Sequence, residues 1–208
     1  MKITARLAAA AAAAMLATGC QSLGTASPQP RHGISASQTP ARTPASPSPR
    51  DRSESHKLRA VHDPGEVTGS LTGTCHARDH GRLPDPTCTP GAYDPAITAA
   101  ILCAAGYHTS SYRPPESQTE AFKFDHAYPA YGISGGTKSE LDHLVPLELG
   151  GANDAANLWP EVGSLPNPKD AVEGALHDAV CSGQVSLRAA QRAIAADWMT
   201  AEAKLGIG

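Results

Sequence analysis

Asp142 and His143 stand side by side inside an otherwise apolar run, residues 141–147. In an extended strand, neighbouring side chains point to opposite faces, so at least one of these ionisable groups needs a partner or a wet strand end. Asn157 follows His143 by fourteen residues, beyond the turn-forming cluster Gly150-Gly151-Ala152-Asn153-Asp154. Further on, Asp170, Glu173 and His177 fall at i, i+3 and i+7, close to one face of a helix. Carboxylates and imidazoles gathered in this way are the residue types of metal ligation and proton transfer.

The elements that must position them are readable from local signals. Residues 141–147 read as a short strand, the glycine cluster as a turn, and Asn157-Leu158-Trp159 as a return strand. Asn167-Pro168 predicts a helix start, with Cys181 near its end and Gly183 just past it. Asp170, three residues after Asn167, suits a capping carboxylate as well as a ligand. Ser186 predicts the start of a last helix whose Leu187, Ala190, Ile194, Trp198 and Met199 form an apolar stripe. Upstream, Asp94-Pro95 predicts a helix ending at Gly106, and Ser117 with Glu120 predicts a capping box for another carrying Phe122.

The chain has 208 residues, with 40% hydrophobic, 4% aromatic and 18 prolines. That allows one ordinary domain with appendages. Apart from the N-terminal stretch, no run approaches the roughly 20 apolar residues of a membrane span, which excludes a polytopic membrane protein. The net charge of −3 divides into +2 over residues 1–20, +4 over 21–60 and −9 over 61–208. Lys2, Arg6 and the apolar stretch 7–17 make a secretory signal over 1–19. Leu16-Ala17-Thr18-Gly19-Cys20 resembles the lipobox of bacterial lipoproteins, with Ala17 where leucine usually stands. The expectation is lipidation of Cys20 and anchoring to the cell membrane or outer membrane, or plain secretion if Cys20 is unmodified. Residues 20–66, rich in Pro and Ser, read as a disordered linker, and residues 67–208 as the domain. Without Cys20 the cysteines are four: Cys75, Cys88, Cys103 and Cys181. Export favours disulfides, and the expected pairs are Cys75–Cys88 across a Pro/Gly-rich loop and Cys103–Cys181 between two helix ends. Zinc binding by these cysteines ranks low, since no C-x-x-C is present.

The order of strand with Asp-His, turn, strand with Asn, then helix resembles the HNH (ββα-metal) endonucleases, and more closely an exported bacterial branch of them. The residues carrying the likeness are Asp142-His143-Leu144-Val145-Pro146-Leu147-Glu148-Leu149-Gly150-Gly151, then Asn157-Leu158-Trp159-Pro160-Glu161. Lys169-Asp170, Glu173, Leu176-His177, Val180-Cys181-Ser182-Gly183, Ala190-Gln191-Arg192-Ala193-Ile194 and Asp197-Trp198 continue it. The likeness covers about residues 85–200. It implies an α+β fold: a ββα-metal core with flanking helices, stapled by disulfides.

The resemblance also implies roles. His143 becomes the general base, Asp142 a ligand of one divalent ion, and Asn157 the brace that helps orient the base. The second ligand stays open between His177, the positional match on the helix, and Glu173 one turn earlier. The ion is Mg²⁺ in the first place, with Mn²⁺ or Zn²⁺ as alternatives. The implied activity is divalent-metal-dependent hydrolysis of phosphodiester bonds in DNA, with RNA as the alternative, at low sequence specificity. No protein partner is inferable. The −9 of residues 61–208 argues against a broad electrostatic grip on nucleic acid. Lys138, Lys169, Arg113, Arg188 and Arg192 are the cations available for a local patch. The rival is a non-catalytic envelope lipoprotein using an HNH-like fold as a binding module. His62, His76, His80, His108 and His126 show no ligand spacing.

Overall fold

Pro168 lacks an N–H and holds φ near the helical value, so the chain can enter a helix there without losing a hydrogen bond. In the structure, a computed structural model describing residues 57–208, this is the start of α4 (Pro168–Cys181). The Asn167 side chain accepts from Lys169 N at 3.1 Å, and Asp170 returns the bond to Asn167 N at 3.1 Å. Asp170 is thus committed to the cap. The signal segment 1–19, the Cys20 acyl site and the linker through residue 56 lie outside the described residues.

Among the described residues, four strands and four further α-helices accompany α4: β1 (Arg59–Ala60), β2 (Ala92–Tyr93), α1 (Ala99–Leu102), α2 (Glu116–Phe122), α3 (Tyr128–Tyr131), β3 (Ser139–His143), β4 (Leu158–Val162) and α5 (Leu187–Leu205). A π-helical turn, Lys123–Ala127, joins α2 to α3. β1 pairs in parallel with β2, and β3 antiparallel with β4. The protein is therefore a mixed α and β fold with small sheets. Cys75 joins Cys88, and Cys103 joins Cys181.

Several local expectations need adjustment. β3 stops at His143 rather than running to residue 147, because Pro146 cannot donate to a ladder and Val145 N is taken by the Asn157 side chain at 2.8 Å. The first helix starts at Thr98, whose hydroxyl caps it, not at Asp94, whose carboxylate closes a turn onto Ala96 N at 2.9 Å. Ser117 lies inside α2, which begins directly after Pro115. β1 lies within the stretch expected to be linker; its backbone pairs with β2, and the flanking Leu58 and Val61 pack against two of the buried clusters, which orders a segment with little apolar content. α5 is interrupted at Asp197, whose extended backbone lets its carboxylate cap the second half through Met199 N at 3.1 Å.

The β3–β4 hairpin is packed on both faces. On one side Trp159, Leu144, Val145 and Leu149 meet Leu176 and Val180 of α4 and Ala190 and Ile194 of α5. On the other, Leu158 and the partly buried Leu141 meet Phe122 and Ala127. Burying each such leucine contributes about 1.5–3 kcal/mol, the main term holding helix to hairpin. Gly151 is required in the connection, since a Cβ there would overlap the Val145 carbonyl oxygen.

Candidate functional site

The β3–β4 register sets Asp142 opposite Trp159 and Glu140 opposite Glu161. Paired residues of an antiparallel ladder share a face, so these four side chains look towards α4. Leu141 and His143 alternate onto the other face. Asp142 and His143, adjacent in sequence, thus serve two different environments.

The face towards α4 is ionic. Lys169, 1% exposed, places its ammonium 2.9 Å from Asp142 Oδ2, 2.9 Å from the His143 carbonyl oxygen and 2.5 Å from Glu173 Oε1. Trp159 Nε1 donates to Asp142 Oδ2 at 3.1 Å. Burial works against the Lys169 charge, but Asp142 and Glu173 outweigh it, so the ammonium is held charged well above its ordinary pKa. Because Lys169 divides its charge between two carboxylates, burial still keeps Glu173 up at about 7. Glu161, 3% exposed, is pushed up to about 8 by burial and then by the Asp142 charge. Glu140 is raised for the same two reasons. One oxygen each from Glu140, Asp142 and Glu161 lie within 4.8 Å of one another. Glu161 Oε2 is buried without a hydrogen-bond partner.

His143 on the opposite face is buried and held by Asn153, its Nε2 lying 2.7 Å from Asn153 Oδ1. The amide of Asn153 cannot be turned around, because its Nδ2 donates to the Tyr112 carbonyl at 2.8 Å. Oδ1 is therefore the atom facing the ring, Nε2 carries the hydrogen, and Nδ1 keeps the lone pair. Burial, with Arg113 and Lys169 adding to it, holds His143 below its ordinary pKa despite the opposing Asn153 bond and Asp142 charge. The imidazole is neutral at pH 7. It lines a cleft of about 440 Å³ together with Arg113, Lys123, Phe124, Glu140 and Leu165.

The remaining expected site residues are placed as follows. Asn157, 0% exposed, accepts from Ala92 N and Val145 N and donates to the Val145 and Ala152 carbonyls. Its amide is fully used in bracing the hairpin connection, and Asn153 does the orienting of His143 instead. Glu173 reaches Asp142 only across the Lys169 ammonium. His177 does not join them: its Nε2 is 3.4 Å from the Leu102 carbonyl and 3.6 Å from Cys181 Sγ, and its Nδ1 is 3.5 Å from Asp178. It lines a separate cleft of about 310 Å³ with Tyr107, His108 and Glu148. The physical reason is the Cys103–Cys181 bond, which ties this turn of α4 to the end of α1 while the Lys169–Glu173 turn faces the hairpin. Lys169, expected among surface cations, is wholly interior.

Glu140, Asn153 and Glu161 were not anticipated as site residues. Glu140 and Asp142 alternate on one strand face, a signal present in the sequence. Glu161 and Asn153 needed the register and the course of the connection. Comparison of the chain with protein-family models, with curated proteins and with solved structures finds no significant match.

Proposed function

We propose that the protein is an exported, membrane-anchored endonuclease that hydrolyses phosphodiester bonds, DNA first and RNA as the alternative, with the aid of a divalent ion near Asp142. The observation that carries this reading is His143: a neutral imidazole in the wall of a cleft, locked in one tautomer by Asn153, beside the Arg113 guanidinium. The β3–β4–α4 order gives further support, since hairpin and helix together build both of the ionisable environments.

In this mechanism Arg113 binds the phosphate, because a guanidinium matches phosphate oxygens and keeps its charge at any working pH. His143 Nδ1 takes the proton of an attacking water, which its low pKa allows at neutrality. Asn153 keeps Nδ1 aimed and prevents the ring from flipping. Oxygen donors crowd around Asp142, which suits a hard divalent ion; when bound it supplies positive charge for the phosphate and the leaving oxygen.

The test is incubation of the purified chain with plasmid and Mg²⁺ or Mn²⁺. Nicking is expected with wild type, and a fall of about 10²-fold or more with His143→Ala. Equal cleavage by the two proteins removes His143 as the base.

One observation favours the rival, a non-catalytic binding module: the Lys169 ammonium already sits between Asp142 and Glu173. That reading expects no cleavage with any divalent ion.

A further inference from the structure

Antiparallel pairing sets Glu140 directly across from Glu161, with Asp142 two residues along on the same face. Their donor oxygens come within 4.8 Å of one another. Like charges directly opposite on a sheet repel, and here the repulsion is set in a half-buried, low-dielectric place. Lys169 answers part of it, but its ammonium is shared between Asp142 and Glu173 and its third bond goes to the His143 carbonyl. Glu161 Oε2 is left buried with no donor. Buried carboxylate oxygens almost always have a partner, because leaving one bare costs a large part of its hydration energy.

The geometry points to a divalent cation site formed by carboxylate oxygens of Glu140, Asp142 and Glu161. An all-oxygen donor set selects a hard ion, such as Mg²⁺, Mn²⁺ or Ca²⁺, and offers zinc neither nitrogen nor sulfur. Neither His177 nor Glu173 is a ligand: His177 faces α1, and Glu173 is satisfied by Lys169. Glu140 also lines the His143 cleft, so the cation site borders it. The site deepens the nuclease reading by naming the ligands of its ion, yet it stands on carboxylate geometry alone.

Calorimetric titration of the purified full-length, chelator-treated chain with MnCl₂ tests it, with the thermal midpoint as a second readout. One Mn²⁺ per chain is expected, with a midpoint that climbs as Mn²⁺ is added. Glu161→Gln and Glu140→Gln should each weaken binding by about tenfold or more, since each deletes one of three charged ligands. Glu161→Gln keeps the size and shape of the neutral carboxyl and takes away only its ability to ionise, so it retains the fold. His177→Ala should bind within about twofold of wild type, a difference near the 0.4 kcal/mol of RT ln 2. The site is overturned if wild type shows no saturable binding, if Glu161→Gln binds as wild type does, or if His177→Ala is as weak as Glu140→Gln. Mn²⁺ bound in the expected pattern by a chain that leaves plasmid intact upholds the site and removes the nuclease reading. Metal-dependent cleavage that Glu161→Gln leaves untouched in both binding and rate does the reverse.

Discussion

His143 Nε2 lies 2.7 Å from Asn153 Oδ1, and the backbone carbonyl of Tyr112 prevents that amide from turning over. The pair decides which ring nitrogen can accept a proton. Replacing Asn153 with alanine frees the ring and strands a buried N–H. Cleavage by Asn153→Ala should fall by about 10–100-fold, mostly in kcat, while the fold loses about 1–3 kcal/mol. Steady-state kinetics and urea titration measure the two separately.

The same contact sets a pH dependence. A base must be neutral to act, and burial holds the His143 pKa below the ordinary value of 6.5. Cleavage should therefore be level through neutrality and decline only on the acid side of 6.5. Asn153→Asp puts a negative charge against Nε2–H and stabilises the imidazolium. The acid limb of kcat/KM should then move upward by about one unit or more. An unmoved limb means that another group titrates.

Lys169 is a charge placed where water cannot reach. Lys169→Met leaves Asp142 and Glu173 facing each other without a cation, and should destabilise the fold by about 3–5 kcal/mol in urea. Adding Glu173→Gln removes one of the stranded charges and should recover part of the loss. If the single variant unfolds at the wild-type midpoint, the ammonium is not the centre of this network.

Glu161 gives stability a direction with pH. Its folded-state pKa is raised from 4.5 to about 8, so between these values the folded protein holds a proton that the unfolded chain releases. Stability from this group is complete below 4.5 and is lost as pH rises through about 8. Glu161→Gln keeps the neutral shape at every pH. In chelator-treated protein the Tm of wild type and variant should agree near pH 4.5 and separate steadily, with the variant higher, up to pH 8.

The two disulfides enclose loops of different length. Cys103–Cys181 spans 78 residues and Cys75–Cys88 spans 13. On chain entropy the long bridge contributes about 4.5 kcal/mol and the short one about 3 kcal/mol. Cys103→Ser with Cys181→Ser should therefore lower the urea midpoint more than the pair Cys75→Ser with Cys88→Ser.

Local chemistry made much of this fold legible. The Asn167-Pro168-x-Asp170 cap, the Gly183 stop and the Ser186 start appear in the structure at those residues, because a helix end is decided within one turn. The pairing of cysteines followed from which loop and which helix ends they flank. Asp142 and His143 could be flagged from one strand, since an ionisable pair in an apolar run needs explaining. Their partners could not. Asn153 meets His143 across ten residues of connection, Lys169 enters from another element, and Glu161 faces Glu140 only in one register. The helix-face spacing of Glu173 and His177 suggested a shared target, and it misled because a disulfide draws the second turn towards α1.

Among the described residues β3 pairs on one side only, with β4. Two lysines come to its backbone: Lys123 donates to the Ser139 carbonyl at 2.6 Å and Lys169 to the His143 carbonyl at 2.9 Å. Carbonyls already engaged by ammonium groups are poor acceptors for an incoming strand. The lysines that keep the two faces of the hairpin in order thus also occupy acceptors that a second strand would need. Exchanging Lys123 for an uncharged residue would therefore register less in the protein's melting than in its tendency to self-associate through the hairpin.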